Sequence, residues 1–312
     1  MAKQSPLLGV ILALGAAMFF GLNASTSKVI VAAGIDPGSL VLFRSLACAL
    51  LAALALLMSH PNRFRIRASE IPRLLVFGIV GVALMQWAYS NAVSKLPVGI
   101  ALLIEYTAVI WVPLTAKLLW HERTKPRLWL GVVLVLAGLV AISQIWNVGL
   151  DLAGLGFAAL AAVLLTTFFL MGEHTQQSRD TLSTLFYTML ISSLFWLIFS
   201  PWWNFDFNRL SQSVSLTGNL ASTSVPFAVL LIWIGVAGSF IPMLLSYAAL
   251  RVTTATGVGI ASTAEVVFAA LFGWYWLGEQ LDGLQLVGGG LLIAGIVVAQ
   301  TSRQEKVNFG ND

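Results

Sequence analysis

Trp120-HERTKPRLWLGVVLVLAGLVAI-Ser143 reads almost position for position like Leu277-GEQLDGLQLVGGGLLIAGIVVA-Gln300. The ungapped match pairs Glu122 with Glu279, Gly131 with Gly288 and Gly138 with Gly295, at an offset of 157 residues, half the chain of 312. The helices upstream correspond as well, Tyr89-SNAVSKL preceding one segment and Tyr247-AALRVTT the other. The chain is therefore read as one unit duplicated. Paired glycines on the last helix of each copy suit close helix approach, as a packing feature.

What the unit is follows from composition. Hydrophobic residues make up 58% of the chain and charged residues only 10%, far below the roughly one quarter of a soluble domain. Ten apolar runs, 7–33, 40–58, 74–93, 98–120, 128–146, 152–172, 182–203, 226–250, 254–277 and 283–300, each approach the roughly 20 residues that span a bilayer as a helix. Nothing alternates as in a membrane β-barrel. The first run continues without a cleavage site and is read as a retained helix. The expectation is an all-α integral membrane protein of ten transmembrane helices, with repeats at 7–146 and 152–300 and a cytoplasmic tail at 301–312. Five spans per repeat is an odd number, so the second repeat enters the membrane from the other side, and the two are inverted.

Basic residues orient the bundle. With the N-terminus inside, Lys3, Arg63, Arg65, Arg67, Arg73, Arg123, Lys125, Arg127, Arg179, Arg251, Arg303 and Lys306 fall on cytoplasmic segments. Only Lys95 and Arg209 fall outside, and Lys28, Arg44 and Lys117 lie within spans. The positive-inside rule then puts both termini in the cytoplasm of the cell (inner) membrane and the Ser/Thr/Asn-rich stretch Asn204–Val225 outside. The basic isoelectric point belongs to these juxtamembrane residues, and no nucleic-acid partner is expected.

Two acids stand inside spans: Glu105 in Pro97-VGIALLIEYTAVIWVPLTAKLLW-His121 and Glu265 in Thr254-ATGVGIASTAEVVFAALFGWYWL-Gly278. A charge at the bilayer centre costs about 2.5–3.5 kcal/mol on insertion scales, which makes both candidates for function. Glu265 lies near mid-span and, on a continuous helix, shares a face with Ala261, Ser262, Phe268 and Ala269. It is read as a proton-titrating carboxylate or an ammonium anchor, against a structural ion pair with Lys28 or Arg44. Glu105 carries the same alternatives, with Pro113 two turns later as a possible kink and Pro242 its counterpart in the eighth helix. The first helix turns polar at Asn23, Ser25, Thr26, Ser27 and Lys28, so that part faces protein or water. Lys28 and Arg44 either line a cavity or snorkel to the surface. Gln86 and Tyr89 on the third helix and Tyr247 on the eighth either contact a substrate or serve as interfacial anchors.

The stretches Gly9-VILALGAAMFFGLNASTSKV-Ile30, Leu40-VLFRSLACALLAALALL-Met58 with Arg44, and Leu277-GEQLDGLQLVGGGLLIAG-Ile296 resemble the EamA family of the drug/metabolite transporter superfamily. Pro97-VGIALLIEYTA-Val109 and Ser262-TAEVVFAALFGWYWLG-Glu279 are most similar to its RhtA-like threonine/homoserine exporters, which carry a glutamate at the positions matching Glu105 and Glu265. The resemblance covers essentially the whole chain. It implies a secondary transporter that exports a small polar metabolite by alternating access, with amino acids the leading class and protons as coupling ion. The alternative is a drug or nucleobase exporter of the same superfamily.

Other chemistries lack their residues. No phosphate-binding Gly-x-x-x-x-Gly-Lys motif is present, so no P-loop ATP hydrolysis is expected. His60, His121 and His174 show no ligand spacing, and Cys48 is the only cysteine, so neither metal, cofactor nor disulfide is expected. An intramembrane enzyme would need a nucleophile and base, and no such constellation is visible.

Overall fold

The computed structural model describes residues 5–120, 125–147 and 149–301. Lys3, His121, Glu122, Arg123, Arg303, Lys306 and residues 302–312 of the tail lie outside them. Among the described residues ten helices are long and apolar enough to cross a membrane. They are α1 (Pro6–Val31), α2 (Pro37–Ser59), α3 (Ala68–Lys95), α4 (Val98–Trp120) and α5 (Pro126–Ser143) in the first repeat. The second holds α6 (Leu152–Ser178), α7 (Thr181–Phe199), α8 (Phe227–Val252), α9 (Ala255–Leu277) and α10 (Gly283–Gln300). The shortest, at 18 residues, still reach about 27 Å at 1.5 Å per residue.

Local chemistry sets where these helices start and stop. Asp36, Asp151, Asp180, Thr254 and Asp282 each accept a hydrogen bond from the amide three residues on, which satisfies an orphan donor of the first turn. Asp282 and Gln285 form a reciprocal capping box. At the other end, α5 and α9 stop at residues in the left-handed region, Gln144 and Gly278. Large apolar side chains such as Leu50, Leu57, Val163 and Ile198 project outward, as lipid-facing positions must in a protein whose backbone bonds are satisfied within each helix.

The packing has the symmetry of an inverted repeat. Helix α5 lies against α10, α2 against α7, and α1 against α8 and α9, while α6 lies against α3 and α4. Swapping the two repeats leaves this pattern unchanged. The α5–α10 seam shows the operator at residue level. A methyl group on Gly138 would sit 2.6 Å from Gly288 O and from Leu292 N, and one on Gly295 would sit 2.8 Å from Gly131 O. Exchange of equivalent residues converts the Gly131–Gly295 contact into the Gly288–Gly138 contact, so the two helices are antiparallel about a two-fold axis. The paired glycines of the sequence match lie on that axis.

Both described ends of the chain lie at one face, where Ser5 N donates to Val252 O and Gln300 Nε2 to Gly257 O. That face carries a charged network in which Arg179 Nη1 reaches Glu70 Oε2 at 2.7 Å and Arg63 reaches Asp180 at 2.6 Å. At the opposite face the 204–225 stretch, read as plain loop, contains a two-stranded antiparallel ribbon, β1 (Ser213–Ser215) and β2 (Ser224–Pro226). Leu216 O accepts a hydrogen bond from Trp276 Nε1 there, which ties the ribbon to the end of α9.

Candidate functional site

Four spans depart from regular α-helix, two equivalent pairs. Helix α4 breaks between Glu105 and Ala108, and α9 between Ser262 and Ala264. At the first break Thr107 N, Val109 N and Ile110 N bond three residues back, to Ile104, Tyr106 and Thr107, and Val266 N bonds Thr263 O at the second. Such tightened turns leave carbonyls short of donors, tolerated at membrane depth only where protein or a cavity surrounds them. Helices α3 and α8 instead widen into π-turns, at Phe77–Leu84 and Val236–Phe240. The possible kink at Pro113 is not formed: Ala108–Trp120 runs through it as α-helix, and the break falls a turn or more earlier. Pro242 follows its π-turn directly. It has no N–H to return to that turn, and Arg44 Nη2 donates to Gly238 O there at 2.9 Å while Arg44 Nε donates to Ser239 Oγ at 2.9 Å.

The two acids occupy the breaks from opposite sides. Glu105 is the last residue of the first half of α4 and Glu265 the second residue of the second half of α9. At the repeat offset Glu105 matches Ser262, so the acids are one turn out of register and are not strict equivalents. The break also places Ser262 and Glu265 in different helical segments, and the single face expected through Ala261 and Phe268 is interrupted.

These departures border a cavity that offers about 60 Å³ to the centre of a water-sized sphere. That is room for a few waters at roughly 10–15 Å³ each, so the chamber is narrow. Asn23 reaches it from α1, Arg44 from α2, Gln86 and Tyr89 from α3, Glu105 from α4, and Ser262 and Glu265 from α9. Seven of the nine residues proposed from the sequence therefore converge. Between them stand Phe20, Met85, Leu165, Phe168, Phe169 and Met243, an apolar wall that no pattern distinguished from lipid-facing positions.

Lys28 and Tyr247 lie elsewhere. Lys28 Nζ pairs with Glu279 Oε1 at 2.8 Å, both side chains close to half exposed, at the rim of a second cavity of about 250 Å³ toward the ribbon face. That cavity reaches Leu102 and Val266, the latter one residue beyond Glu265. Tyr247 is fully buried, its hydroxyl 3.0 Å from Thr188 Oγ1 and its ring stacked on Phe168, so it supports the chamber wall from behind.

The ion pair considered for Glu265 is not formed among the described residues. Lys28 is held by Glu279, and Arg44 donates to Ser239 Oγ and Gly238 O in the π-turn of α8. The partner of Glu265 is Tyr106, whose hydroxyl donates to Oε2 at 2.7 Å across the two repeats. Tyr106 escaped the sequence reading; its signal was adjacency to an intramembrane acid, which acquires meaning only once the helix breaks beside it. Glu105 faces the same chamber without an ion pair among the described residues.

A ten-span bundle of inverted repeats, with interrupted helices around a chamber that polar side chains enter from both repeats, is the architecture of a membrane transporter. The chain belongs to the EamA-like transporter family, whose model matches residues 7–144 and 152–301. Among curated proteins it is similar to a chain of Salmonella paratyphi B named "Probable 4-amino-4-deoxy-L-arabinose-phosphoundecaprenol flippase subunit ArnE", 38% identical over 65 residues, covering 21% of this chain and 57% of that one. A protein of the same name from Shigella flexneri serotype 5b is 37% identical over 70 residues, covering 22% of this chain and 61% of the other. The chain thus spans somewhat over half the length of these relatives. A solved crystal structure of a protein aligns with a TM-score of 0.74 over 93% of this chain and 96% of that one, at 17% identity, a likeness of fold.

Proposed function

We propose that this chain is a secondary transporter that exports a small polar metabolite bearing an amino group, an amino acid, by alternating access. The observation that carries the reading is the chamber itself: Glu105 and Glu265, one from each repeat, line the same cavity at interrupted helices. The nearest guanidinium, Arg44, already has neutral partners in α8. A chamber with two carboxylates and one such cation favours a positively charged occupant, and both an ammonium and a proton answer that description. In this structure Tyr106 holds Glu265; an arriving ammonium or proton competes for the same oxygen, which couples occupancy to the contact between repeats. The inverted repeats supply the motion, because a rearrangement about their two-fold axis closes one face as it opens the other.

A drug or nucleobase without an amino group would leave these acids unneutralised, so that alternative is less well served. The relatives named as flippase subunits supply a second reading, a lipid-linked amino sugar, which shares the amino group. The test is a metabolite comparison of cells lacking and overexpressing the chain, with medium and cytosol measured separately. Export of an amino acid raises it in the medium of overexpressing cells and in the cytosol of the deletion strain. If every soluble amine is unchanged in both compartments, the proposal fails, and a change confined to amine-bearing lipids favours the second reading.

A further inference from the structure

The two-fold axis relates the interrupted helices α4 and α9, but their N-termini stand in unequal surroundings. The 157-residue offset pairs Pro97 with Thr254, Val98 with Ala255 and Gly99 with Thr256. Toward the ribbon face Pro97 is exposed, and Pro97, Val98 and Gly99 border the cavity of about 250 Å³ together with Lys28 of α1. Toward the face of the chain ends, Thr254, Ala255 and Thr256 are all buried. There Ala255 N donates to Glu173 Oε2 of α6 at 2.6 Å, and Gln300 Nε2 of α10 donates to Gly257 O at 2.8 Å. Ser143, the equivalent of Gln300, instead donates to Val140 O of its own helix and borders the cavity.

Glu173 stands one residue past the apolar run 152–172, yet α6 continues to Ser178 and buries it to 1% exposure. A carboxylate at a helix N-terminus satisfies an amide that the helix leaves unbonded and meets the positive end of the helix dipole. One turn earlier on α6 stands Phe169, which lines the chamber, and a side chain added at Gly259 of α9 would meet the Phe169 ring at 3.5 Å. From the chamber toward the chain-end face the contacts therefore run in order, Phe169 against Gly259 and then Glu173 against Ala255. The segment Ala255–Ser262 is bounded by the helix break at one end and by this carboxylate at the other. Thr256, beside the carboxylate contact, works against it. Its hydroxyl is buried with no hydrogen-bond partner among the described residues. Such a group carries a desolvation cost, which water would relieve if the segment moved outward.

We propose that Glu173 is the latch of the transport cycle at the chain-end face. Its bond to the N-terminus of α9 keeps the segment Ala255–Ser262 across the path to the chamber; the bond must break for cargo to pass, and the Thr256 hydroxyl favours the break. The proposal requires transport but no particular cargo.

The test is the rate of labelling by a charged maleimide, on purified full-length protein in detergent micelles, where the reagent reaches both faces. Single cysteines Gly99→Cys and Gly259→Cys are compared in a Cys48→Ser background. The first should label fast and the second slowly; equal rates would remove the asymmetry and the proposal with it. Glu173→Gln retains an acceptor but loses the charge, and should speed labelling at position 259 by about threefold or more, the scale of an anion lost from a helix N-terminus. Thr256→Val, which removes the unpaired hydroxyl at nearly constant shape, should slow it. Cys48, fully buried in α2, is the control in the otherwise unsubstituted chain and should react no faster when Glu173→Gln is introduced. An unchanged rate at position 259 would overturn the proposal, and so would a parallel rise at Cys48, the mark of general loosening. Should Glu173→Gln fail to accumulate, Thr256→Val decides alone: slower labelling at 259 supports the latch, and an equal or faster rate refutes it.

Discussion

Replacement of Gly138 by alanine probes the two-fold seam that orders the bundle. The added methyl would lie 2.6 Å from both Gly288 O and Leu292 N, closer than side-chain carbons approach other atoms, and both obstacles are backbone. Neither can rotate aside, so the helices must separate. Overpacking of this kind costs about 1–3 kcal/mol, and backbone obstacles place it in the upper part of that range. The matched control is Gly290→Ala on α10, where nothing lies within 4 Å. Both substitutions gain the same helix-propensity term of about 1 kcal/mol, which cancels in the comparison and leaves the packing term. Denaturant unfolding of the purified protein in detergent micelles reads the difference. The symmetry adds a sharper expectation: Gly295→Ala, the equivalent of Gly138, meets Val135 N at 2.7 Å and Gly131 O at 2.8 Å and should lose a similar amount. If Gly138→Ala is as stable as Gly290→Ala, the close approach is absent and the two-fold argument fails with it.

Three further outcomes follow. If the positive-inside reading is right, single cysteines at Ser59 and Ser215 in a Cys48→Ser background should differ toward an impermeant thiol reagent on intact cells, position 215 reacting and position 59 not; the reverse pattern would refute the orientation. Arg44→Lys should destabilise the protein by about 1–3 kcal/mol, because one ammonium cannot serve Gly238 O and Ser239 Oγ as the guanidinium does, and should cost more than Ser239→Ala in the same unfolding assay. Asp282 is held below the ordinary aspartate range by the amide of Gln285 and the side chain of Gln144. Its stabilising contribution is therefore complete at neutral pH and is lost as pH falls through the lowered value, and Asp282→Asn should flatten the acid limb of the unfolding curve.

The architecture was readable because a bilayer leaves few solutions. Ten apolar runs and one internal match at a 157-residue offset were enough for the spans and their inversion, and the glycines paired by that match do meet at the seam. The site was readable in part for the same reason: polar residues at membrane depth must face inward, so Asn23, Gln86, Glu105, Ser262 and Glu265 were bound to converge somewhere. What stayed hidden was geometry without a compositional signature. No glycine or proline marks the breaks at Thr107 and Thr263, while Pro113, the residue that suggested a kink, sits in unbroken helix. Lys28 and Glu279 are 251 residues apart, and only the assembled bundle joins them. The apolar chamber wall, Phe168 and Phe169 included, is indistinguishable from lipid-facing sequence, since in a membrane both surroundings are apolar.

The central claim is that Glu265 binds the occupant whose passage drives the cycle, and transport by purified protein in proteoliposomes tests it most directly. Glu265→Gln keeps the shape of the side chain, can still accept from Tyr106, and cannot carry charge. The account predicts that wild-type vesicles take up a labelled amino acid in response to an imposed pH gradient, and that the variant inserts and folds normally but shows uptake at the level of empty vesicles. Uptake by Glu265→Gln at the wild-type rate, with the same dependence on the gradient, would contradict it.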